Sequence, residues 1–228
     1  MKPLSYFITG TDTEIGKTTI SCAIIRALAK KDLQVAAMKP VAAGAFDFDG
    51  VLHNEDVDAL TEASNMSLPL SLTTPYLLKT PIAPHLSAEL DHVVIDTKHI
   101  VACYREICNR ADAVVVEGVG GFCVPFTDCT DSAELAVQLG LPVILVVGMK
   151  LGCINHALLT AEAVRSRGLT LAGWIANTID PHMPFCEENI HTLEARLNVP
   201  RLGTMPYLES FSDADMFLDL NRLPDWPL

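Results

Sequence analysis

The chain has 228 residues, of which 50% are hydrophobic and 19% are charged, a composition typical of a globular protein that can bury a core. Its formal net charge of −12 argues against nucleic acid or an anionic membrane as a general partner, because nothing offsets the repulsion of phosphate groups. The sequence has no signal-peptide pattern, no apolar run of membrane-spanning length and no Cys-x-x-Cys pair. We therefore expect a cytoplasmic protein with reduced thiols.

Short apolar runs alternate with helical patterns along the chain. In chain order, we predict β-strands at Leu4–Thr9, Leu33–Met38, Ala113–Val116, Pro142–Val147 and Leu169–Ala176. We predict helices at Lys17–Lys31, Asp56–Ser64, Asp96–Arg110, Asp131–Leu139, Ile154–Arg167 and Pro184–Leu197. Asp96 and Asp131 are predicted N-caps. Several runs are continuously apolar, which is typical of strands covered on both faces of a parallel sheet.

This alternation predicts an α/β fold, with a doubly wound, mostly parallel β-sheet and helices on both faces. We expect one domain over residues 1–228. The stretch Pro69–Pro84 carries four prolines and is predicted to be an irregular connection. The residues beyond Leu208 are predicted to form an irregular tail.

A glycine-containing loop, ITGTDTEIGKTT, follows the first predicted strand at residues 8–19. A Walker A loop has four residues between its first glycine and Gly-Lys-Ser/Thr, whereas five separate Gly10 from Gly16 here. Backbone N–H groups at the start of the following helix can form an anion site. Lys17 would then contact the outer phosphates, and the Thr18 hydroxyl would bind Mg²⁺. We predict a phosphate-binding loop, and the alternative is a tight strand-to-helix turn.

Polar residues follow each of the other predicted strands. They are Lys39, Glu117, Lys150 and Asn177. The carboxyl ends of parallel strands meet at one edge of a sheet, which is where ligands bind in this class of fold. Bound magnesium needs few protein oxygens, so Glu117 is the first candidate ligand and Asp56 the second. The alternative for Asp56 is a carboxylate that only stabilises a helix start.

Six motifs together resemble the dethiobiotin synthetase family. They are GTDTEIGKTT (10–19), MKPVAAG (38–44), NEDVDAL (54–60), VVVEGVGGF (114–122), VILVVGMKLGCINHALLT (143–160) and LAGWIAN (171–177). The resemblance covers about residues 6–208, and the five-residue insert in the loop is characteristic of that family. Related amidoligases of cobalamin synthesis share the style of loop, but they are longer and carry a glutaminase domain that this chain lacks.

The resemblance implies a P-loop ligase that uses MgATP. In that family, one amine of 7,8-diaminononanoate takes up CO₂ as a carbamate, and a carbamate oxygen attacks the γ-phosphate of ATP. The second amine then displaces phosphate and closes the cyclic urea, which gives dethiobiotin, ADP and phosphate. The family acts as a homodimer, and the substrate crosses the interface between its subunits.

The resemblance also implies the residues of the site. The catalytic residues are Lys39, Lys17 and Thr13. Nucleotide binding is carried over to Glu14, Ile15, Gly16, Lys17, Thr18, Thr19, Asn177 and Pro206. The Mg²⁺ ligands are Thr18, Asp56 and Glu117. Substrate contacts are carried over to Thr13, Lys39, Ala43 and Gly120, and to Gly152, Cys153, Ile154 and Asn155, which would bind the substrate carboxylate held by the other subunit.

One position departs from the family pattern, because Ala43 stands where the family commonly has a serine. A hydroxyl that could hold the carbamate or the γ-phosphate is therefore missing. His85 and His156 are expected to be structural, and the role of Lys150 is open. Two other functions compete with the ligase: a deviant-loop switch ATPase, and an inactive nucleotide-binding relative. The first commonly has a lysine early in its loop, and the second does not explain intact Lys17 and Lys39.

Overall fold

The computed structural model describes residues 3–207 and 214–227. Its strands are β1 Leu4–Gly10, β2 Val35–Met38, β3 Val41–Ala43, β4 Phe46–Phe48, β5 Val51–His53, β6 Tyr76–Leu78, β7 Ala113–Glu117, β8 Val143–Met149, β9 Leu171–Thr178 and β10 Arg201–Met205. Its helices are α1 Lys17–Ala29, α2 Glu55–Ala63, α3 Leu70–Thr73, α4 Pro84–Leu90, α5 Thr97–Cys108, α6 Ser132–Leu139, α7 Cys153–Ser166 and α8 Cys186–Leu197.

Six of these strands form one sheet in the order β10-β9-β8-β1-β7-β2, and every pairing in it is parallel. The predicted doubly wound α/β fold is confirmed, and all five predicted strands belong to this sheet. The sixth strand, β10, was not predicted, because Arg201, Gly203 and Thr204 interrupt its apolar pattern. The parallel order brings the carboxyl ends of β1, β2, β7, β8 and β9 to one edge, as expected.

Each face of the sheet carries its own hydrophobic core. Phe7, Val114 and Val116 pack on one face with residues of α5 to α8, whereas neighbouring residues such as Ile8 and Val115 pack on the other face with α1. All of these residues are at most 2% exposed. Burial on both faces explains why the strands are continuously apolar rather than alternating.

The helix starts follow local capping chemistry. The Asp131 side chain accepts from the Glu134 backbone N–H in a complete capping box, and the Asp96 side chain accepts from that of Lys98, so both predicted N-caps are confirmed. Asn54 caps α2, which places Asp56 in the first turn of that helix. Among the helices of residues 3–207 and 214–227, none is long and apolar enough to cross a membrane.

The segment between α2 and α5 is more ordered than expected. The prediction that Pro69–Pro84 is wholly irregular is wrong, since it contains α3 and β6, and Pro84 is the first residue of α4. Strand β6 pairs in parallel with β3, and β4 forms an antiparallel hairpin with β5. Elements of three or four residues carry too little periodicity to be recognised in a sequence.

The described part of the C-terminal tail, residues 214–227, differs from the irregular tail expected. It contains 3₁₀ turns at Ala214–Phe217 and Leu220–Arg222. Leu220 and Leu223 are buried against the α1 face of the sheet, and the Tyr6 hydroxyl donates to the Pro224 carbonyl at 2.8 Å. This segment therefore closes one side of the core. The extent of the single domain stays a prediction.

Candidate active site

The loop between β1 and α1 ends on a glycine with a left-handed backbone. Gly16 has φ 81° and is the N-cap of α1. Because glycine has no side chain to accept from them, the first N–H groups of the helix receive no side-chain cap. The Asn177 side chain donates to the Ile15 carbonyl at 2.7 Å. A Cβ at position 16 would lie 2.2 Å from Asn177 Nδ2. The end of β9 therefore fixes the shape of the loop, and only glycine fits there.

Lys17 is 6% exposed and donates to the backbone carbonyl of Asp12 at 2.8 Å. Burial, followed by repulsion from Lys39, lowers the pKa of Lys17 to about 8. The Asp12 carboxylate accepts from the Thr13 backbone N–H and lies 2.6 Å from Lys150 Nζ. The hydrogen bond from Lys150 lowers the pKa of Asp12. Asp12 was not among the predicted site residues, and its place between the two lysines gives Lys150 a partner in the loop.

Four element termini, the ends of β2 and β7 and the starts of α1 and α2, bring Lys39, Glu117, Thr18 and Asp56 into one cluster. Lys39 Nζ lies 2.7 Å from Asp56 Oδ2 and 2.6 Å from Glu117 Oε1. Thr18 Oγ1 lies 2.7 Å from Asp56 Oδ1 and 2.9 Å from Glu117 Oε1. Lys39 directly follows β2, and Glu117 is the last residue of the neighbouring strand β7, which explains their close approach.

The cluster is buried and charged. The Lys39 side chain is 4% exposed and that of Glu117 is 0% exposed. Burial alone would lower the pKa of Lys39, but the carboxylates of Glu117 and Asp56 outweigh it and raise that pKa. Burial likewise opposes ionisation of Asp56, whereas Lys39 outweighs it and lowers the Asp56 pKa. The buried Lys39 and the Asp56 side chain, which is 48% exposed, therefore each favour the charged form of the other.

The donor set of this cluster fits a divalent cation. Thr18, Asp56 and Glu117 offer a hydroxyl and two carboxylates, which are the oxygen ligands that magnesium prefers. Glu117 Oε2 is buried and has no hydrogen-bond partner. The Lys39 ammonium already stands between the two carboxylates as a cation. Within residues 3–207 and 214–227, no group of three or more His, Cys, Asp or Glu side chains forms a metal site, so a metal here would need phosphate or water oxygens as well.

Thr18, Lys39 and Asp56 of the cluster line a cavity of about 880 Å³, whereas the predicted ligand Glu117 lies behind them, outside its lining. Its lining includes the predicted residues Thr13, Glu14, Ile15, Gly16, Lys17, Thr18, Thr19, Lys39, Ala43, Asp56 and Gly120. A Cβ at Gly120 would lie 3.5 Å from Thr13 Oγ1, so these two loops approach each other closely. Glu14 is exposed and has a left-handed backbone, φ 55°. The wall also contains Phe46 and Ile82, apolar residues that the sequence did not single out.

Other predicted site residues lie outside this lining. Asn177, near the end of β9, contacts the loop at the Ile15 carbonyl, and Pro206 directly follows β10. The four residues Gly152, Cys153, Ile154 and Asn155 begin α7, where Gly152 has φ 94° and nothing lies within 4 Å of a Cβ placed on it. His85 has a buried Nδ1 without a hydrogen-bond partner, and His156 is exposed.

Comparisons with known proteins agree with this geometry. The model of a family described as "AAA domain" matches residues 5–215. The chain is 54% identical over 227 residues to the ATP-dependent dethiobiotin synthetase BioD of Janthinobacterium sp. (strain Marseille), and the match covers 97% of this chain and 96% of that protein.

Solved structures share the fold at low identity. The MinC:MinD cell division protein complex of Aquifex aeolicus has a TM-score of 0.58 at 17% identity, covering 95% of this chain and 87% of that chain. A ParA family ATPase from Chlorobium tepidum TLS has a TM-score of 0.57 at 15% identity, covering 99% and 93%. At such identities these likenesses concern the fold alone. On its identity to the curated relative, the chain belongs to the ATP-dependent dethiobiotin synthetase family.

Proposed function

We propose that this protein is an ATP-dependent ligase that makes dethiobiotin from 7,8-diaminononanoate, CO₂ and ATP. The observation that carries the proposal is the meeting of two lysines and two carboxylates beside the loop of residues 10–19, in a chain 54% identical to a curated dethiobiotin synthetase. ADP and phosphate are the other products. An inactive scaffold would have no need for a buried ion cluster, which is costly to maintain.

The loop binds the ATP phosphates in this proposal. Backbone N–H groups of Glu14, Ile15 and Gly16, together with the first turn of α1 at Thr18 and Thr19, surround the β-phosphate. Lys17 exchanges the Asp12 carbonyl for the β- and γ-phosphates. Asn177 and Pro206, at the ends of β9 and β10, contact the adenine. The Asn177 amide has a second N–H and a carbonyl that are suited to a donor–acceptor edge.

Lys39 and Thr13 act at the transferred phosphoryl group. The carbamate oxygen attacks the γ-phosphorus, and negative charge spreads over the equatorial oxygens, where Lys39 and Lys17 stabilise it. Thr13, Ala43 and Gly120 line the adjoining part of the cavity, where the carbamate would lie. The second amine of the substrate then attacks the carbamoyl carbon, phosphate leaves, and the ring closes.

Thr18, Asp56 and Glu117 hold Mg²⁺ in this proposal. When bound, the ion supplies charge neutralisation at the β- and γ-phosphates. Of these three residues, Thr18 would lie nearest to the phosphates, because it is in the first turn of α1. Asp56 and Glu117 keep the ion at the edge of the sheet, and the unpartnered Oε2 of Glu117 supports this assignment.

We further propose a cytoplasmic homodimer in which the substrate carboxylate lies at the start of the partner's α7. Around the buried Cys153, Gly152 and Asn155 are exposed, and the adjacent Leu151 is 96% exposed. A helix start without a capping side chain is suited to an anion. The seven cysteines all lie within the described residues and none of them forms a disulfide, which suits a reducing compartment.

The test is to incubate the protein with MgATP, bicarbonate and 7,8-diaminononanoate and to detect the product by mass spectrometry. We expect a cyclic urea and one ADP for each molecule formed. ATP hydrolysis that is indifferent to the diamine, without any cyclic urea, would favour a switch ATPase and overturn the proposal.

A further inference from the structure

The residues proposed to hold Mg²⁺ are already engaged by a cation of the chain itself. Lys39 Nζ contacts one oxygen of Asp56 and one of Glu117, at 2.7 and 2.6 Å. Thr18 Oγ1 contacts the same two carboxylates. Two carboxylates therefore share one ammonium, which belongs to a residue that we propose for another task, contact with the transferred phosphoryl group.

We propose that Lys39 is the internal counter-ion of the metal site in the free enzyme, and that it leaves the two carboxylates when the metal–nucleotide complex binds. The inference rests on the proposed function for the identity of the metal ligands. It adds that one lysine has two positions: on Asp56 and Glu117 before the nucleotide binds, and at the γ-phosphate afterwards.

The two cations compete for the same carboxylates. Magnesium approaches its oxygen ligands to about 2.0–2.1 Å, so a metal bound to Asp56 and Glu117 comes close to any ammonium held by them. Two cations at that separation repel each other strongly in a buried site. The metal therefore displaces Lys39, or Lys39 keeps the metal out. Bare metal binds weakly for this reason.

The nucleotide offers Lys39 a new partner. Its triphosphate brings negative charge to the cavity that Lys39 lines, so the ammonium can exchange carboxylate for phosphate oxygens without becoming unpaired. The backbone of Lys39 stays fixed meanwhile, because its N–H donates to the Thr73 carbonyl at 2.9 Å. Rotation of the side chain is enough for the exchange. Metal and nucleotide should thus bind cooperatively, and Lys39 supplies the coupling.

The test measures Mn²⁺ binding by electron paramagnetic resonance, without nucleotide or substrate. We expect Lys39→Met to bind Mn²⁺ about tenfold or more tightly than the wild type, because the metal no longer has to break hydrogen bonds between charged groups. With a saturating non-hydrolysable ATP analogue, the difference in Mn²⁺ affinity between Lys39→Met and the wild type should become smaller, since Lys39 has then left the carboxylates in the wild type. Adding Glu117→Gln to Lys39→Met should remove the gain.

Lys17→Met is the matched control. It removes a second buried lysine, and the same charge, from the same cavity, but Lys17 donates to a backbone carbonyl rather than to the carboxylates. We expect a much smaller gain in Mn²⁺ affinity from it. An equal gain in both variants would mean that only the long-range field matters, and would overturn the proposal. No gain in Lys39→Met would overturn it as well.

A second variant and a second measurement test the proposal if Lys39→Met does not fold. Lys39→Gln, which keeps a hydrogen-bond donor without the charge, carries the same expectation if Lys39→Met does not fold. In either variant, Mn²⁺ should raise the melting temperature more than in the wild type, since the metal replaces the missing counter-ion. These experiments use no diamine, so the proposed function can fail in the product assay while the counter-ion inference stands, and the reverse also holds.

Discussion

The two ends of the proposed substrate meet very different parts of the molecule. At the phosphate end, Lys17, Lys39 and Glu117 are buried, and hydrogen bonds from side chains at the ends of β2, β7 and β9 connect the loop and the ion cluster. At the carboxylate end, Gly152 and Asn155 at the start of α7 are exposed, Gly152 has open space around it, and its side of the helix has no side-chain cap. The groups of the first end are held together by contacts within the free chain, whereas the second end is an uncapped helix start.

This difference indicates which part of the proposed site one chain can form alone and which part a second subunit could complete. Preorganised charges stabilise a developing phosphoryl charge without reorganisation, so a phosphate end belongs on rigid strand termini of one chain. A carboxylate at a helix start needs only free N–H groups, and these can come from a second subunit. Changes at the phosphate end should therefore have large effects on turnover or folding, and changes at α7 small effects on substrate affinity.

The largest effect is expected from Lys39→Gln. Loss of the ammonium removes charge stabilisation at the transferred phosphoryl group, and dethiobiotin formation should fall roughly 10²–10³-fold. Steady-state product formation measures this. Lys30→Gln is the control, since Lys30 is exposed and pairs with Asp215, away from the cavity. Retained activity in Lys39→Gln would refute the role assigned to Lys39.

Gly16→Ala tests how rigidly the loop is built. The new Cβ would collide with Asn177 Nδ2 in a left-handed backbone, so the free energy of unfolding should fall by about 2–4 kcal/mol. Gly50→Ala has a similar φ, 79°, but nothing lies within 4 Å, and it should cost only about 1 kcal/mol. Urea denaturation measures both. Equal losses would show that contact with Asn177 contributes nothing.

Lys17 should make nucleotide binding depend on pH. Burial lowers its pKa from 10.5 to about 8, so above pH 8 the free enzyme holds it mostly neutral, and phosphate binding restores the charged form. Binding of an ATP analogue should therefore take up most of a proton at about pH 8.5 and almost none at about pH 6.5. Calorimetry in buffers of different ionisation enthalpy measures the uptake. Persistence of the uptake in Lys17→Met would assign it to another group.

The smallest effect is expected at the start of α7. Asn155→Asp adds a negative charge where we propose that the substrate carboxylate lies, so KM for the diamine should rise about two- to fivefold while kcat stays unchanged. The acid itself suits a helix start, and stability should not fall. Gln138→Glu, an equal charge change at an exposed position of α6, should leave KM alone. An unchanged KM in Asn155→Asp would place the substrate carboxylate elsewhere.

The sequence predicts the sheet well because long apolar strands and capped helices carry strong local signals. It also predicts that Lys39 and Glu117 lie at one edge, since both sit where neighbouring strands end. The ammonium–carboxylate contact between them depends on side-chain conformations that only the packed structure defines. Asp12 escaped notice for a similar reason, because its partner Lys150 is 138 residues away.

Short elements and the subunit interface lie beyond what the sequence alone provides. Strands β3 and β6 have three residues each, too few for a repeating pattern, and each forms a strand by pairing with the other. The start of α7 is recognisable as a glycine before a helix, but the substrate and partner subunit that we propose for it leave no local pattern in the sequence. Local chemistry thus defines the phosphate end better than the carboxylate end.

The most direct test of the account follows one oxygen atom. With ¹⁸O-labelled bicarbonate, attack of a carbamate oxygen on the γ-phosphorus and later loss of phosphate carry one labelled oxygen into inorganic phosphate. Mass spectrometry of the phosphate, corrected for exchange of the label with water, should therefore find ¹⁸O in step with dethiobiotin formed. Unlabelled phosphate alongside labelled bicarbonate would mean that ATP is cleaved by water, and would contradict the assignment of this site to carbamate phosphorylation.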